Sequence, residues 1–195
     1  MNCPNEEHLG AAYRILKYLK SAPGKGIFFK KNNNRGVEIF TDADWAGCVM
    51  DRRSTSGYCT FVWGNLVTWR SKKQSVVARS SAEAEFRALS QGICEGMWLK
   101  RLLSELRIPI NNPMEVKCDN LAAISIAKHP VHHDRTKHVE IDRHFIKENM
   151  DNRTINLSHT PSQLQVADIL TKSLCGNKFE ELSDKLRLIN ILSAA

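Results

Sequence analysis

Four carboxylates stand where the predicted elements of this 195-residue chain begin or end. Asp42 ends the first strand of the predicted core, and Asp119 ends the strand that follows a long helix. Glu85 lies in the opening turns of that helix, and Asp168 starts a late helix after the last strand. Functional groups of open α/β sheets gather outside the carboxyl ends of strands. If the two strands are parallel neighbours, Asp42 and Asp119 project side by side.

Carboxylates crowded in this way repel one another, and a divalent metal ion gives a reason to tolerate them. Mg²⁺ prefers carboxylate oxygens and water, and it keeps coordination positions open for a substrate phosphate. Two such ions about 4 Å apart can stabilise the attacking and leaving oxygens of a phosphodiester hydrolysis. The constellation therefore indicates metal-assisted chemistry on a phosphodiester.

Each carboxylate also has a structural interpretation. Asp42 could be a turn residue after its strand, and Asp119 and Asp168 could cap the helices that they precede. Glu85 could be a solvated charge favoured near a helix N-terminus. Asp44, two residues after Asp42, would share its face if the strand continued and is the alternative first metal ligand. Spacing alone leaves these alternatives open.

The elements that must position these carboxylates follow from hydrophobic periodicity and from turn signals. Apolar residues at helical spacing predict helices over 5–21, 81–106, 121–128, 137–150, 165–172 and 177–190. β-rich runs predict strands over 26–29, 37–41, 57–63, 66–69, 114–118 and 154–158. A polar turn at Gly64 and Asn65 predicts a hairpin between two of these strands. The element order predicts an α/β fold, a mixed sheet with helices packed on its faces.

A polar run before residue 37 marks the main domain boundary. Residues 1–35 are predicted as an N-terminal extension that contains a helix, 36–175 as the main domain, and 176–195 as a C-terminal helix. The chain carries 28 Lys and Arg against 21 Asp and Glu, a net charge of +7, which favours polyanionic partners only weakly on its own. Its six cysteines form no C-x-x-C pair, which is typical of reduced thiols in an intracellular protein. No apolar run approaches the ~20 residues of a membrane span, and the first residues lack the pattern of a secretory signal.

Several segments, in chain order, resemble the ribonuclease H domain of copia-type LTR retrotransposon polyproteins. They are residues 41–47, 51–58, 80–89, 118–120, 135–141 and 165–172. Residues 4–30 resemble the segment that joins reverse transcriptase to ribonuclease H. The resemblance implies a ribonuclease H-like fold with a mixed five-stranded sheet. It also implies hydrolysis of the RNA strand of RNA·DNA hybrids during reverse transcription, with two Mg²⁺ or Mn²⁺ ions and the reverse transcriptase domain as a partner.

The family's catalytic set, Asp-Glu-Asp-Asp in chain order, matches Asp42, Glu85, Asp119 and Asp168. By the family pattern, Asp42 bridges both metal ions and Asp168 holds the ion that activates water. Glu85 and Asp119 then hold the ion near the leaving oxygen. His159 resembles a mobile-loop histidine that aids proton transfer or product release; the alternative is an ordinary histidine of a surface loop.

Binding of a hybrid requires phosphate contacts for affinity and 2′-hydroxyl contacts to identify the RNA strand. The predicted phosphate-binding residues lie just before the helix that carries Glu85; they are Arg70, Lys72, Lys73 and Arg79, with Arg52 and Arg53 as further candidates. Taken singly, each could be a solvated charge. The histidines between His129 and His144 have no cysteine partners at zinc-site spacing, which argues against structural zinc.

Two other functions are compatible with parts of the pattern. An integrase or transposase core has the same fold class, but its acidic residues follow an Asp-Asp-Glu order, which this chain does not show. A catalytically silent domain derived from a retrotransposon, which binds nucleic acid or a partner, is the remaining alternative to the nuclease. The resemblance implies an intracellular location, in cytoplasmic virus-like particles or in the nucleus.

Overall fold

The structure, a computed structural model, describes residues 3–33, 35–128 and 140–192. Its helices are α1 (Glu6–Ser21), α2 (Ser81–Glu105), α3 (Leu121–Lys128), α4 (Glu140–Asp151) and α5 (Gly176–Lys185). Its strands are β1 (Lys25–Ile27), β2 (Val37–Ala43), β3 (Thr55–Val62), β4 (Asn65–Lys73), β5 (Met114–Cys118), β6 (Ile155–His159) and β7 (Leu188–Asn190). Two 3₁₀ turns cover Ser162–Leu164 and Val166–Leu170. No helix in these described ranges is long and apolar enough to cross a bilayer.

The main sheet has five strands in the order β4-β3-β2-β5-β6. Strands β2, β3 and β4 pair antiparallel, whereas β2, β5 and β6 pair in parallel. The predicted mixed sheet is therefore confirmed. The carboxyl ends of β2, β5 and β6 meet at one edge of the sheet because these three strands run in the same direction.

The predicted hairpin joins β3 to β4, but its turn lies one residue earlier than the sequence indicates. Trp63 and Gly64 are the two turn residues, and both have a positive φ, 54° and 72°. This is the requirement of a type I′ turn, whose twist matches that of the flanking strands. Asn65 instead pairs with Val62 in the sheet, and its side chain binds the backbone of Lys30.

The long helix α2 covers one face of the sheet and brings Glu85 to it. Ser80 caps α2 by accepting the Glu83 N–H at 3.1 Å. Gly92 permits close packing, because a Cβ there would lie 2.5 Å from the Thr41 side chain. Below α2 the core contains fully buried Ile39, Leu89 and other apolar residues. Each such side chain contributes about 1.5–3 kcal/mol when it leaves water.

The opposite face of the sheet is covered by the second 3₁₀ turn and the C-terminal segment. Phe61 and Leu66 pack there against Val166 and Leu186. The predicted helix over 165–172 is wrong as an α-helix: the described backbone forms the 3₁₀ turn Val166–Leu170, with bonds of the i→i+3 kind. This turn positions Asp168 above the sheet.

The predicted helix over 177–190 is correct for its first part only. It ends after α5, where Arg187 adopts a left-handed φ of 58°. Residues of β7 then pair antiparallel with β1, Gly26 opposite Ile189. Residues 137–139 of another predicted helix lie outside the described residues, and α4 begins at Glu140. The division at residues 35 and 175 stays a prediction.

Candidate active site

The parallel pairing of β2 and β5 places two of the predicted carboxylates at the same edge of the sheet. Asp42 is the last residue but one of β2, and its side chain is fully buried. Asp119 directly follows β5 and is half-buried. The sequence predicts this proximity on the condition that the strands are parallel neighbours, and the register of β2 with β5 confirms that condition.

Carboxylate oxygens of Asp42, Asp119 and Asp168 all lie within 4.8 Å of one another. A second group with the same spacing contains Glu85, Cys118 and Asp119. Since Asp119 belongs to both groups, the four predicted carboxylates form one acidic cluster. They come from β2, α2, the end of β5 and the second 3₁₀ turn, which are distant in sequence.

Glu85 faces the sheet edge from the second turn of α2, and it is 5% exposed. Its Oε1 accepts the Ala43 N–H at 3.2 Å. Burial, followed by the charge of Asp42, raises the pKa of Glu85 to about 9, although the Ala43 bond opposes the shift. The charge of Lys172 also opposes the shift, yet without a divalent cation this side chain is mostly protonated at neutral pH.

Lys172 contacts two of the carboxylates, although its position in the sequence does not predict a role at the site. Its Nζ lies 3.0 Å from Asp42 Oδ1 and 2.7 Å from Asp168 Oδ1. Burial lowers the pKa of Lys172, but its contacts with Asp168 and Asp42 outweigh this and raise it above its ordinary value. Burial also raises the pKa of Asp168, and the hydrogen bond from Lys172 opposes that shift. The i,i+4 spacing from Asp168 was the one available signal.

Asp44, the alternative first ligand, forms hydrogen bonds that stabilise the loop after β2. The Thr55 N–H donates to Asp44 Oδ1, and the Asp44 N–H donates to the Thr55 carbonyl at 3.1 Å. Because β2 ends at Ala43, Asp44 lies beyond the strand and does not share a strand face with Asp42. Among the described residues, Asp42 and not Asp44 lies in the acidic cluster.

Several polar side chains hold the cluster in place, and sequence reasoning gave no sign of them. Gln165, fully buried, donates from Nε2 to the Thr41 carbonyl at 2.9 Å and so fixes the second 3₁₀ turn to β2. The Thr171 hydroxyl donates to Asp42. The Ser162 hydroxyl donates to Asp119 Oδ2 at 2.8 Å.

The donor chemistry of the cluster fits a hard divalent cation. Carboxylate oxygens are the ligands that Mg²⁺ and Mn²⁺ prefer. Cys118, the remaining candidate ligand, is buried at the end of β5, and burial raises the pKa of its thiol well above the ordinary value. A protonated thiol is a poor ligand, so the fit depends on the carboxylates.

The other predicted site residues lie around this edge. His159 is exposed, but it is the last residue of β6, paired with Cys118, so its expected position in a loop is wrong. Of the predicted phosphate-binding residues, Arg70 and Lys72 project from one face of the edge strand β4, and both are exposed. The catalytic and binding roles of all these residues stay predictions.

Three of the basic residues are already engaged within the chain, and one of them, Arg70, interacts with the Tyr58 hydroxyl. Lys73 Nζ contacts Asp51 at 2.9 Å and the Cys48 sulfur at 2.8 Å. Arg53 also pairs with Asp51, at 2.7 Å. Arg79 and Arg52 have exposed side chains. In the histidine group, residues 129–138 lie outside the described residues, and His144 is 3.9 Å from Glu140.

The shift at Glu85 predicts how the stability of the metal-free protein depends on pH. Above its ordinary pKa of 4.5, the unfolded chain releases a proton that the folded state keeps until about pH 9. The unfolded state therefore binds fewer protons in this window, and the free energy of unfolding falls as pH rises. Glu85→Gln, which keeps an acceptor for Ala43, should flatten this slope in urea unfolding at pH 5.5, 7 and 8.5 with EDTA. An unchanged slope in the variant would contradict the assignment.

Sequence comparison relates the chain to parts of retrotransposon polyproteins. The chain is 40% identical to the retrovirus-related Pol polyprotein from transposon RE1 of Arabidopsis thaliana and 38% identical to that from transposon RE2. Both matches extend over 191 residues, 98% of the chain and 13% of the relative. The chain thus spans about an eighth of the length of these curated relatives. No protein-family model matches it.

A solved structure shows the same fold. The crystal structure of LC11-RNase H1 in complex with an RNA/DNA hybrid superimposes with a TM-score of 0.51, over 69% of this chain and 93% of that one. The sequence identity is 17%, so the likeness concerns the fold alone. The five-stranded mixed sheet with its flanking helices confirms the predicted fold class.

Proposed function

We propose that this chain, which is similar to part of the retrovirus-related Pol polyproteins and has the ribonuclease H fold, is a metal-dependent endonuclease that hydrolyses the RNA strand of RNA·DNA hybrids. The observation that carries the proposal is the acidic cluster at the carboxyl edge of β2 and β5. Four carboxylates from separate elements converge there, and one of them, Asp42, is fully buried. Such a concentration of negative charge costs stability unless cations compensate it.

Asp42, Glu85, Asp119 and Asp168 would hold the cations, two Mg²⁺ or Mn²⁺ ions. When bound, such ions stabilise charge on the phosphate and lower the pKa of water. The chain's own groups orient the ligands: the Ala43 N–H fixes Glu85, Ser162 fixes Asp119, and Thr171 fixes Asp42.

Direct attack of water on phosphorus breaks the bond to the 3′ oxygen of the preceding nucleotide. The products are then a 5′-phosphate and a 3′-hydroxyl. His159, exposed at the same edge of the sheet, is proposed to move a proton or to aid product release. Its register partner, Cys118, directly precedes the ligand Asp119.

Strand β4 is the proposed contact surface for the backbone of the hybrid. Asp42, Gly57 and Ser71 stand in one row across β2, β3 and β4. Neighbouring strands lie about 4.8 Å apart, which places Ser71 roughly 10 Å from Asp42. Exposed Arg70 and Lys72 flank Ser71 along the strand and project from the other face of β4, where they are proposed to bind phosphates of the hybrid.

The relatives' names imply a longer polyprotein around this chain. We extend the proposal to a reverse transcriptase domain of the same polyprotein as the partner, with residues 1–35 as the connecting segment. The helix α1 has no buried residue in this structure, as expected for a segment that packs against another domain.

A cleavage assay with three matched substrates tests the proposal. The folded chain should cut the RNA strand of a labelled RNA·DNA hybrid with Mg²⁺ or Mn²⁺, and leave single-stranded RNA and duplex DNA intact. EDTA should abolish the cut, and the new ends should carry a 5′-phosphate. Hybrid binding without cleavage, under either metal, would support the silent binding domain instead.

A further inference from the structure

The ammonium of Lys172 lies between two carboxylates of the cluster and touches one oxygen of each. The distances are 3.0 Å to Asp42 Oδ1 and 2.7 Å to Asp168 Oδ1. Asp42 and Asp168 are both buried, and their side chains are 0% and 9% exposed. A buried pair of like charges is strongly unfavourable without a cation between them. Lys172 is the cation that the chain itself supplies.

We propose that Lys172 is a tethered cation that neutralises the metal-free site and must leave it before a divalent cation binds. The proposal rests on the metal dependence proposed above. An ammonium and a metal ion on the same two carboxylates would lie within a few ångströms, where like charges repel strongly. The lysine and the metal ion therefore compete for these oxygens.

The side chain of Lys172 can leave without unfolding of the site. It is 39% exposed, so its exit leads directly to solvent. Its flexible four-carbon stem lets the ammonium move while the backbone stays fixed. Thr171 and Gln165 do not depend on it, because they hold Asp42 and the 3₁₀ turn through their own hydrogen bonds.

Competition of this kind weakens the apparent affinity for metal in proportion to the fraction of molecules with a free site. If Lys172 occupies the carboxylates in about 90% of molecules, the apparent dissociation constant rises about tenfold. When metal is scarce, the ammonium of Lys172 compensates the charge of Asp42 and Asp168 and so stabilises the folded chain.

The variant Lys172→Met tests the competition by calorimetric titration with Mn²⁺ alone. We expect the variant to bind Mn²⁺ about tenfold more tightly and, in EDTA, to melt at a lower temperature than the wild type. The matched control is Lys185→Met, because Lys185 forms an i,i+4 pair with Glu181 at the same 2.7 Å distance. That variant should leave Mn²⁺ affinity unchanged. Equal or weaker binding by Lys172→Met would overturn the proposal.

A second measurement uses the wild-type chain and does not depend on the folding of a variant. An amine-acetylating reagent should modify Lys172 slowly in EDTA and several-fold faster with saturating Mn²⁺, as read by peptide mass spectrometry. The rate at Lys185 should not change. A wild-type chain that cleaves hybrids while Lys172 stays equally protected would overturn this proposal alone. One that binds Mn²⁺, releases Lys172 and cleaves no hybrid would overturn the proposed function alone.

Discussion

Asp42→Asn is expected to reduce cleavage of an RNA·DNA hybrid by about 10³-fold or more, because it removes the most buried negative charge of the cluster. Asparagine keeps the shape of the side chain and an oxygen that can accept the Thr171 hydroxyl. The fold should therefore persist, and the loss should be in the chemical step. Single-turnover cleavage at saturating Mg²⁺ or Mn²⁺ measures it.

Asp44→Asn is the matched control for this experiment. The Asp44 carboxylate accepts the Thr55 N–H, and an asparagine oxygen can accept the same bond. This variant should therefore keep cleavage within roughly threefold of the wild type, the usual effect of a substitution outside the site. If Asp44→Asn lost as much activity as Asp42→Asn, the assignment of the first ligand to Asp42 would be wrong.

The difference between these two aspartates shows what the sequence can and cannot predict. A strand that ends in Asp-Ala-Asp offers two carboxylates at period two, and spacing alone gives no reason to choose between them, although the family resemblance favours Asp42. The choice depends on where β2 ends, and element ends are the least certain part of such a prediction. In the structure, the bonds between Asp44 and Thr55 decide it.

Residues at strand ends and helix starts were predictable because local patterns place them. Asp119 follows an alternating strand, and Glu85 lies in the opening turns of a helix with clear apolar periodicity. Contacts between distant segments were not predictable in this way. Lys172 and Asp42 are 130 residues apart, and Gln165 and Thr41 are 124 apart. No periodicity of either segment encodes such a pair.

The strand β7 illustrates the same limit in the fold. Its residues continue an apolar pattern that suits a helix, and that pattern predicts a helix over 177–190. The backbone instead turns at Arg187 and pairs with β1, more than 160 residues away along the chain. The short strand forms because a partner edge is present there, and β-structure depends on such tertiary context more than helices do.

Gly57→Val is expected to disturb the site through β3, the strand that pairs with β2 beside Asp42. Gly57 pairs with Asp42 in the sheet. A Cβ at Gly57 would lie 2.7 Å from the Thr171 side chain and 2.9 Å from Leu170 Cβ. These atoms belong to the segment that carries Asp168, Thr171 and Lys172, so the segment must move away from β3. Overpacking of this kind costs about 1–3 kcal/mol of stability.

The effect on activity should exceed the effect on stability. A displacement of about 1 Å in a catalytic group can cost 10²-fold in rate, and the valine would move Asp168 relative to Asp42. Cleavage well below the melting temperature should therefore fall by one to two orders of magnitude. Gly26→Val is the matched control, because a Cβ on that strand glycine meets no atom within 4 Å. Equal losses in the two variants would show that the rate depends on general stability; a loss confined to Gly57→Val means that the spacing of Asp42 and Asp168 sets the rate.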